Sequence, residues 1–193
     1  MIIGKKITII FGGSFNPPTI AHERILQACV DYSQNINADI WIMPSGNRTD
    51  KQISTPRGVR IKYLDAMIKS VNSPNVTIIT TELDREIYVE TYDTLQRLLI
   101  DYPDREFLWV YGADSIETMA VWKKGQWLLD NLDILVVRRN GSEIHPLAKK
   151  VTILPVDIPD GVSSTAVRQC LNDGISFDHL VSTHVKKHLS DFE

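Results

Sequence analysis

Residues 7–22 read Ile7-Thr8-Ile9-Ile10-Phe11-Gly12-Gly13-Ser14-Phe15-Asn16-Pro17-Pro18-Thr19-Ile20-Ala21-His22. The first five form a short apolar run rich in β-branched residues, the pattern of a buried strand. Gly12 and Gly13 stop it, and their lack of a Cβ lets backbone approach a ligand closely. Pro17 and Pro18 stiffen the turn and remove two N–H donors. A helical pattern follows, from Ile20 to about Gln34. Strand, glycine-rich turn and helix in that order open a unit whose next strand lies parallel to the first.

The same alternation continues along the chain. Strands are expected at Asp39–Met43, Val76–Thr80, Phe107–Tyr111, Ile134–Val137 and Val151–Pro155. Helices are expected from about Pro56 to Val71, Thr91 to Tyr102, Ile116 to Ala120, Gln126 to Asn131, Ser164 to Asn172 and Ser182 to Leu189. Residues 44–57 are polar and read as a loop. Continuous apolar strands fit a sheet covered on both faces. The expected fold is therefore α/β, a Rossmann-like, doubly wound, mostly parallel sheet with helices on both faces. One domain spans residues 1–193, with residues 162–193 as its C-terminal helical part. Ligands of such sheets sit outside the carboxyl ends of the strands. Attention falls on the residues from Gly12, Pro44, Gly112 and Arg138 onward.

Composition narrows the function. The chain has 193 residues, 43% hydrophobic and 23% charged, with a net charge of −3. That balance argues against a general nucleic-acid or membrane binder, while leaving room for a local basic pocket. No apolar run approaches the ~20 residues of a membrane span, and the lysines before the first strand precede a run too short for a signal peptide. A cytoplasmic location is expected by default. Cys29 and Cys170 lie far apart in helical stretches and read as free thiols rather than a disulfide framework. His184 and His188 are four apart on one helix, but no third ligand is evident nearby, so no metal site is expected.

Two segments carry chemistry. Thr19 and His22 are three residues apart at a helix start, so they share a face. There the free N–H groups and the positive dipole end attract phosphate. The plain alternative is a Gly-Pro turn whose histidine only caps the helix. The second segment is Val162-Ser163-Ser164-Thr165-Ala166-Val167-Arg168. Ser163 or Ser164 is a strong N-cap, and Arg168 returns to the face of Ser164 and Thr165. Hydroxyls, backbone donors and a forked guanidinium converge as a polyphosphate requires. The alternative is a capped helix with a solvated arginine.

These two segments resemble the signatures of the (H/T)xGH nucleotidylyltransferase superfamily. Thr19-Ile20-Ala21-His22 matches the first in its Thr and its His, with Ala21 for the usual glycine and Asn16 for the aspartate before it. The second resembles the (I/V)SSTxxR motif. The middle of the chain is similar to nicotinate-nucleotide adenylyltransferases. Glu90-Thr91-Tyr92-Asp93-Thr94-Leu95 resembles their YTxxTL segment, with Glu90 for tyrosine. Tyr111-Gly112-Ala113-Asp114-Ser115 resembles their GxDS segment. Trp122 stands where that family places a ring-stacking tryptophan, and Val136-Val137-Arg138-Arg139-Asn140-Gly141 resembles VxRRPG. In the loop after the second strand, Lys51 matches the family's lysine but Asp50 stands where histidine is usual.

The resemblance implies transfer of AMP from ATP to nicotinate mononucleotide, releasing pyrophosphate and making deamido-NAD. It implies ATP contacts from Gly12, Gly13, Ser14, Phe15, His22, Gly112, Asp114, Ser163, Ser164, Thr165 and Arg168. It places the acceptor on Thr91, Trp122 and Arg139, and catalysis on His22, Thr19, Lys51 and Arg168. Mg²⁺ would ride on the ATP phosphates, with no protein metal site, and the chain would act alone or as a homo-oligomer. The alternatives keep the chemistry with nicotinamide mononucleotide or phosphopantetheine as acceptor, or keep only nucleotide binding, as a regulatory protein. The charged run Asp84, Glu86, Glu90, Asp93 is expected to be a solvated face with local pairing.

Overall fold

The computed structural model describes residues 4–46, 53, 55–85, 87, 89–138 and 148–189. Its elements follow the order β1 (Lys6–Gly13), α1 (Ile20–Ile36), β2 (Asp39–Pro44), α2 (Arg57–Val71), β3 (Val76–Ile78), α3 (Thr91–Asp101), β4 (Arg105–Gly112), α4 (Ala113–Met119), α5 (Gly125–Asn131), β5 (Asp133–Val137), β6 (Lys150–Leu154), α6 (Ser164–Asn172) and α7 (Thr183–Leu189). The six strands form one sheet in the order β3-β2-β1-β4-β5-β6. Each neighbouring pair is parallel, so "mostly parallel" becomes wholly parallel for this sheet. β1 pairs with both β2 and β4. The chain winds one way from β1 to β3, then returns across β1 to build β4 to β6. That reversal opens a crevice at the carboxyl end of β1.

Alternation along the strands separates two cores. Ile9 and Phe11 of β1 pack with Ile40 and Ile42 of β2 against Leu26, Cys29 and Val30 of α1 and Tyr63, Leu64 and Met67 of α2. Val167 of α6 and Val185 and Leu189 of α7 join that face. Ile10, Trp41, Trp109 and Val136 point the other way, onto Leu95 and Leu98 of α3, Ile116 and Met119 of α4, and Leu128 and Leu129 of α5. Fully burying one such aliphatic side chain is worth ~1.5–3 kcal/mol, so each face holds its helices chiefly by this term.

Element ends differ from the sequence reading for local reasons. β3 stops at Ile78 rather than Thr80, because an edge strand has one partner and its register with β2 ends at Ile42↔Ile78. α1 runs on to Ile36 and ends where Asn37 turns left-handed, at φ 51°. α4 begins at Ala113, because Gly112 at the end of β4 serves as its N-cap residue. Cys29 is buried, Cys170 is half-buried, and both are free thiols.

Candidate active site

Two clefts open at the carboxyl edge of the sheet. The first, about 340 Å³, is lined by Gly12 and Phe11 of β1, Ala21 and His22 of α1, Gly112 at the end of β4, Asp114 in the first turn of α4, and Ser163, Ser164 and Thr165 at the start of α6. The second, about 480 Å³, is lined by Gly13, Ser45, Glu82, Glu90, Thr91, Trp109 and Trp122. Gly12, Val110, Tyr111 and Ser115 line both. The clefts therefore meet over β1 and β4, at the reversal point.

His22 is held from below. Its Nδ1 accepts the Thr19 backbone N–H at 3.1 Å and lies 2.8 Å from the Thr19 hydroxyl. With the Thr19 side chain accepting in return from the His22 backbone N–H, this forms a capping box, with histidine in the place of the usual Glu or Gln. With Nδ1 accepting, the hydrogen-bond network assigns the ring proton to Nε2. Thr19 itself is 1% exposed and lines neither cleft.

The turn between β1 and α1 folds inward. Phe15 is buried at a left-handed φ of 45°. Its ring meets Phe11 edge-on at 5.3 Å and His22 at 5.2 Å. A Cβ on Gly13 would come within 3.2 Å of that ring, whereas a Cβ on Gly12 would meet only the Met43 carbonyl at 3.9 Å. Gly13 is thus closely packed by its own turn and also lines the second cleft. Ser14 and Phe15 line neither cleft. Asn16 is buried, and its side-chain oxygen accepts from the Thr55 hydroxyl.

α6 is tied to the same turn. The Ser163 hydroxyl accepts the Ala166 N–H at 3.1 Å, which settles Ser163 as the N-cap. The Ser164 hydroxyl donates to the Pro17 carbonyl at 2.8 Å. Arg168 donates to the Asn16 carbonyl at 2.6 Å and to the Thr165 hydroxyl at 3.0 Å. The N–H groups of Ser164 and Thr165 belong to the first turn, where no intrahelical acceptor exists. Both residues line the first cleft with His22.

The second cleft has an aromatic wall. Trp109 and Tyr111 stack at 6.3 Å with planes 5° apart, and Tyr111 meets Trp122 edge-on at 5.7 Å. The Tyr111 hydroxyl donates to Thr91 at 3.4 Å, and burial pushes its pKa up, which keeps it protonated. Glu82 accepts from the Thr94 hydroxyl at 2.8 Å. Asp93 pairs with Lys123 at 2.7 Å, and Asp84 pairs with Arg57. Those two behave as the solvated face expected of them, whereas Glu90 lines the cleft.

Lys51, Asp50, Arg139 and Glu86 lie outside the described residues. The sequence reading missed Ser45, Glu82, Trp109 and Tyr111 as cleft residues. Ser45 had a usable signal, directly following β2. Trp109 read only as strand, and Tyr111 only as the residue opening the GxDS-like segment, because alternate strand residues face a helix layer that here leaves space for a ligand. Among the described residues, no group of three His, Cys, Asp or Glu is placed to hold a metal, and no helix is long and apolar enough to cross a membrane.

Residues 10–170 match the cytidylyltransferase-like family, to which the chain belongs. The nicotinate-nucleotide adenylyltransferase of Bacillus subtilis (strain 168) is 31% identical over 195 residues, covering 97% of this chain and 96% of that protein. The probable nicotinate-nucleotide adenylyltransferase of Fusobacterium nucleatum is 31% identical over 188 residues, covering 92% and 94%. Within the larger family, the chain is a member of the nicotinate-nucleotide adenylyltransferases. Among solved structures, Plasmodium falciparum nicotinic acid mononucleotide adenylyltransferase complexed with NaAD aligns with a TM-score of 0.79 at 24% identity, covering 97% of this chain and 96% of that one. A Vibrio parahaemolyticus structure described as a putative nicotinate-nucleotide adenylyltransferase aligns at 0.67 and 22% identity, covering 96% and 93%. At those identities the two structures speak for the fold.

Proposed function

We propose that the chain transfers the AMP moiety of MgATP to nicotinate mononucleotide, releasing pyrophosphate and forming deamido-NAD. The observation that carries this reading is the pair of clefts meeting over Gly12, Val110, Tyr111 and Ser115, with His22 held by Thr19 on the wall of the first cleft. ATP occupies the first cleft and the acceptor the second. A phosphate oxygen of the acceptor attacks the α-phosphorus of ATP in line. The new P–O bond forms as the bond to the bridging oxygen breaks, and pyrophosphate leaves with that electron pair. The acceptor phosphate is already ionised at neutral pH, so positioning and charge stabilisation carry the catalysis.

His22 donates through Nε2 to the α-phosphate, and Thr19 serves it as a positioning residue. The first-turn N–H groups of α6, with the Thr165 hydroxyl, hold the departing phosphates. Arg168 adds charge there while anchoring the turn. Gly112 and Asp114 border the nucleoside. Trp122 stacks on the pyridine ring, and Thr91 offers its N–H and hydroxyl to the ring carboxylate. Lys51 and Arg139 are assigned by resemblance to bridge the substrates and to hold the acceptor. Mg²⁺, carried in on the ATP phosphates, would neutralise part of their charge.

One observation favours nicotinamide mononucleotide as a second acceptor. Glu90 lines the acceptor cleft beside Thr91. A carboxylate there repels the charged ring substituent of the nicotinate form and not a neutral amide. The test is pyrophosphate release from MgATP with nicotinate mononucleotide, nicotinamide mononucleotide or phosphopantetheine. Release with the nicotinate form supports the reading, and comparable release with both pyridine nucleotides supports the second acceptor. ATP binding without release with any of the three would leave nucleotide binding alone.

A further inference from the structure

Arg60 lies on α2 at 3% exposure and lines neither cleft. Its Nε donates to the Ser14 carbonyl at 3.0 Å, and its Nη2 donates to the Ser45 carbonyl at 2.7 Å. Ser14 belongs to the turn after β1, and Ser45 directly follows β2. Those two segments also touch each other, through Ser45 N–H to the Gly13 carbonyl at 2.9 Å and between the two serine hydroxyls at 3.4 Å. Among the described residues, no carboxylate pairs with Arg60. Burial pulls its pKa down. Burying a cation with no carboxylate partner among the described residues is costly, so the position is not explained by the stability of α2 alone.

What the fork does is set a spacing. Gly13 and Ser45 line the acceptor cleft, while the turn from Gly12 leads to His22 in the nucleotide cleft. The two carbonyls that Arg60 engages are drawn toward a residue outside both clefts, so neither oxygen is turned on the phosphates that must meet at the junction. A planar fork can grip two carbonyls at once in fixed geometry, which a single flexible ammonium does less well.

We propose that Arg60 is a positioning residue: it clamps the turns after β1 and β2 so that the two bound substrates meet at in-line distance. This rests on the adenylyltransferase reading above. Its signature is a loss of turnover without a loss of binding, since each cleft keeps its own lining residues.

The test compares wild type, R60Q and R60K by steady-state pyrophosphate release, by calorimetric binding of ATP alone and of nicotinate mononucleotide alone, and by thermal unfolding. For folded R60Q the expectation is a kcat lowered ~10²-fold, the scale of an ~1 Å misplacement, with both dissociation constants within ~3-fold of wild type. R60K keeps the cation and is expected to regain only part of that turnover. Should R60Q fail to fold, R60K decides the matter on the same readouts. Wild-type kcat in either folded variant overturns the inference, as does a loss confined to the binding of one substrate. Full kcat in R60K would assign the effect to charge rather than the clamp. An inactive wild type would instead sink the adenylyltransferase reading, a result distinguishable from the others.

Discussion

Thr19 and His22 were readable as a pair from their spacing, but not as a stack. The sequence places both at the start of α1, while only packing shows that Thr19 is buried behind the imidazole. The histidine is a fixed donor because its other nitrogen is spoken for. His22→Ala is therefore expected to lower kcat by at least ~10²-fold, the scale of losing one charge-stabilising donor, with little change in thermal stability. Steady-state pyrophosphate release checks it, and near-normal turnover would refute the role. Gly112 makes a related point. A methyl group there would collide with Oδ1 of Asp114, which lines the first cleft, the one assigned above to ATP. The obstacle is the end of a side chain and can swing aside, so Gly112→Ala should fold. The displaced carboxylate is expected to raise KM for ATP about tenfold, or ~1.4 kcal/mol, with kcat less affected. Arg60 also left a trace in the sequence. It sits three, four and seven residues before Tyr63, Leu64 and Met67, on the buried stripe of α2. A single charge in an apolar stripe is easily read as an edge residue, because the partners that make it tolerable are backbone carbonyls and carry no residue identity.

At the scale of elements, the strands were legible because burial on both faces removes polar interruptions. Asp39–Pro44 and Asp133–Val137 stand almost where the apolar runs place them. Helix ends were less legible, since Asn37 and Asn72 close α1 and α2 in left-handed conformations that side-chain periodicity does not encode. The docking of α7 was invisible in the sequence. The Ser182 hydroxyl, just before α7, donates to Glu23 on α1. Burial raises the pKa of Glu23, and the hydroxyls of Ser182 and Ser70 and the charge of His184 offset that only in part. The folded state thus holds this proton more tightly than the unfolded state does. Ionising Glu23 costs stability, with no cost well below the unfolded pKa and the whole cost above the folded one. Glu23→Gln keeps an acceptor for Ser182 and removes the charge. Its melting temperature should match wild type near pH 4 and exceed it increasingly as the pH rises toward about 7. Scanning unfolding across that range checks it, and a gain that shrinks with rising pH would contradict the sign.

For the molecule as a whole, the alternation of elements was enough to give a parallel α/β sheet, and the carboxyl edge was the right place to look. The strand order was not readable, because it depends on which side of β1 the fourth strand returns to. Nor was the sharing of cleft floor, which follows from that order: Gly12 of β1 and Tyr111 of β4 become neighbours only once those strands pair. A shared floor with separate walls accommodates both substrates together. Direct transfer between them requires no covalent enzyme intermediate. Initial-rate plots with both substrates varied are expected to intersect, the pattern of a ternary complex, whereas parallel lines would signal a ping-pong route.

The wall of Trp109, Tyr111 and Trp122 has a practical consequence. Its rings lie within 6.3 Å of their neighbours, so the three chromophores are close enough to exchange excitation. An electron-poor pyridinium placed against Trp122 drains that excited state. On the proposed placement of the acceptor, nicotinate mononucleotide is expected to quench tryptophan emission on titration, and Trp122→Phe to remove most of the signal. Occupancy of one cleft can then be followed by light alone, without label or turnover, while the other is left empty.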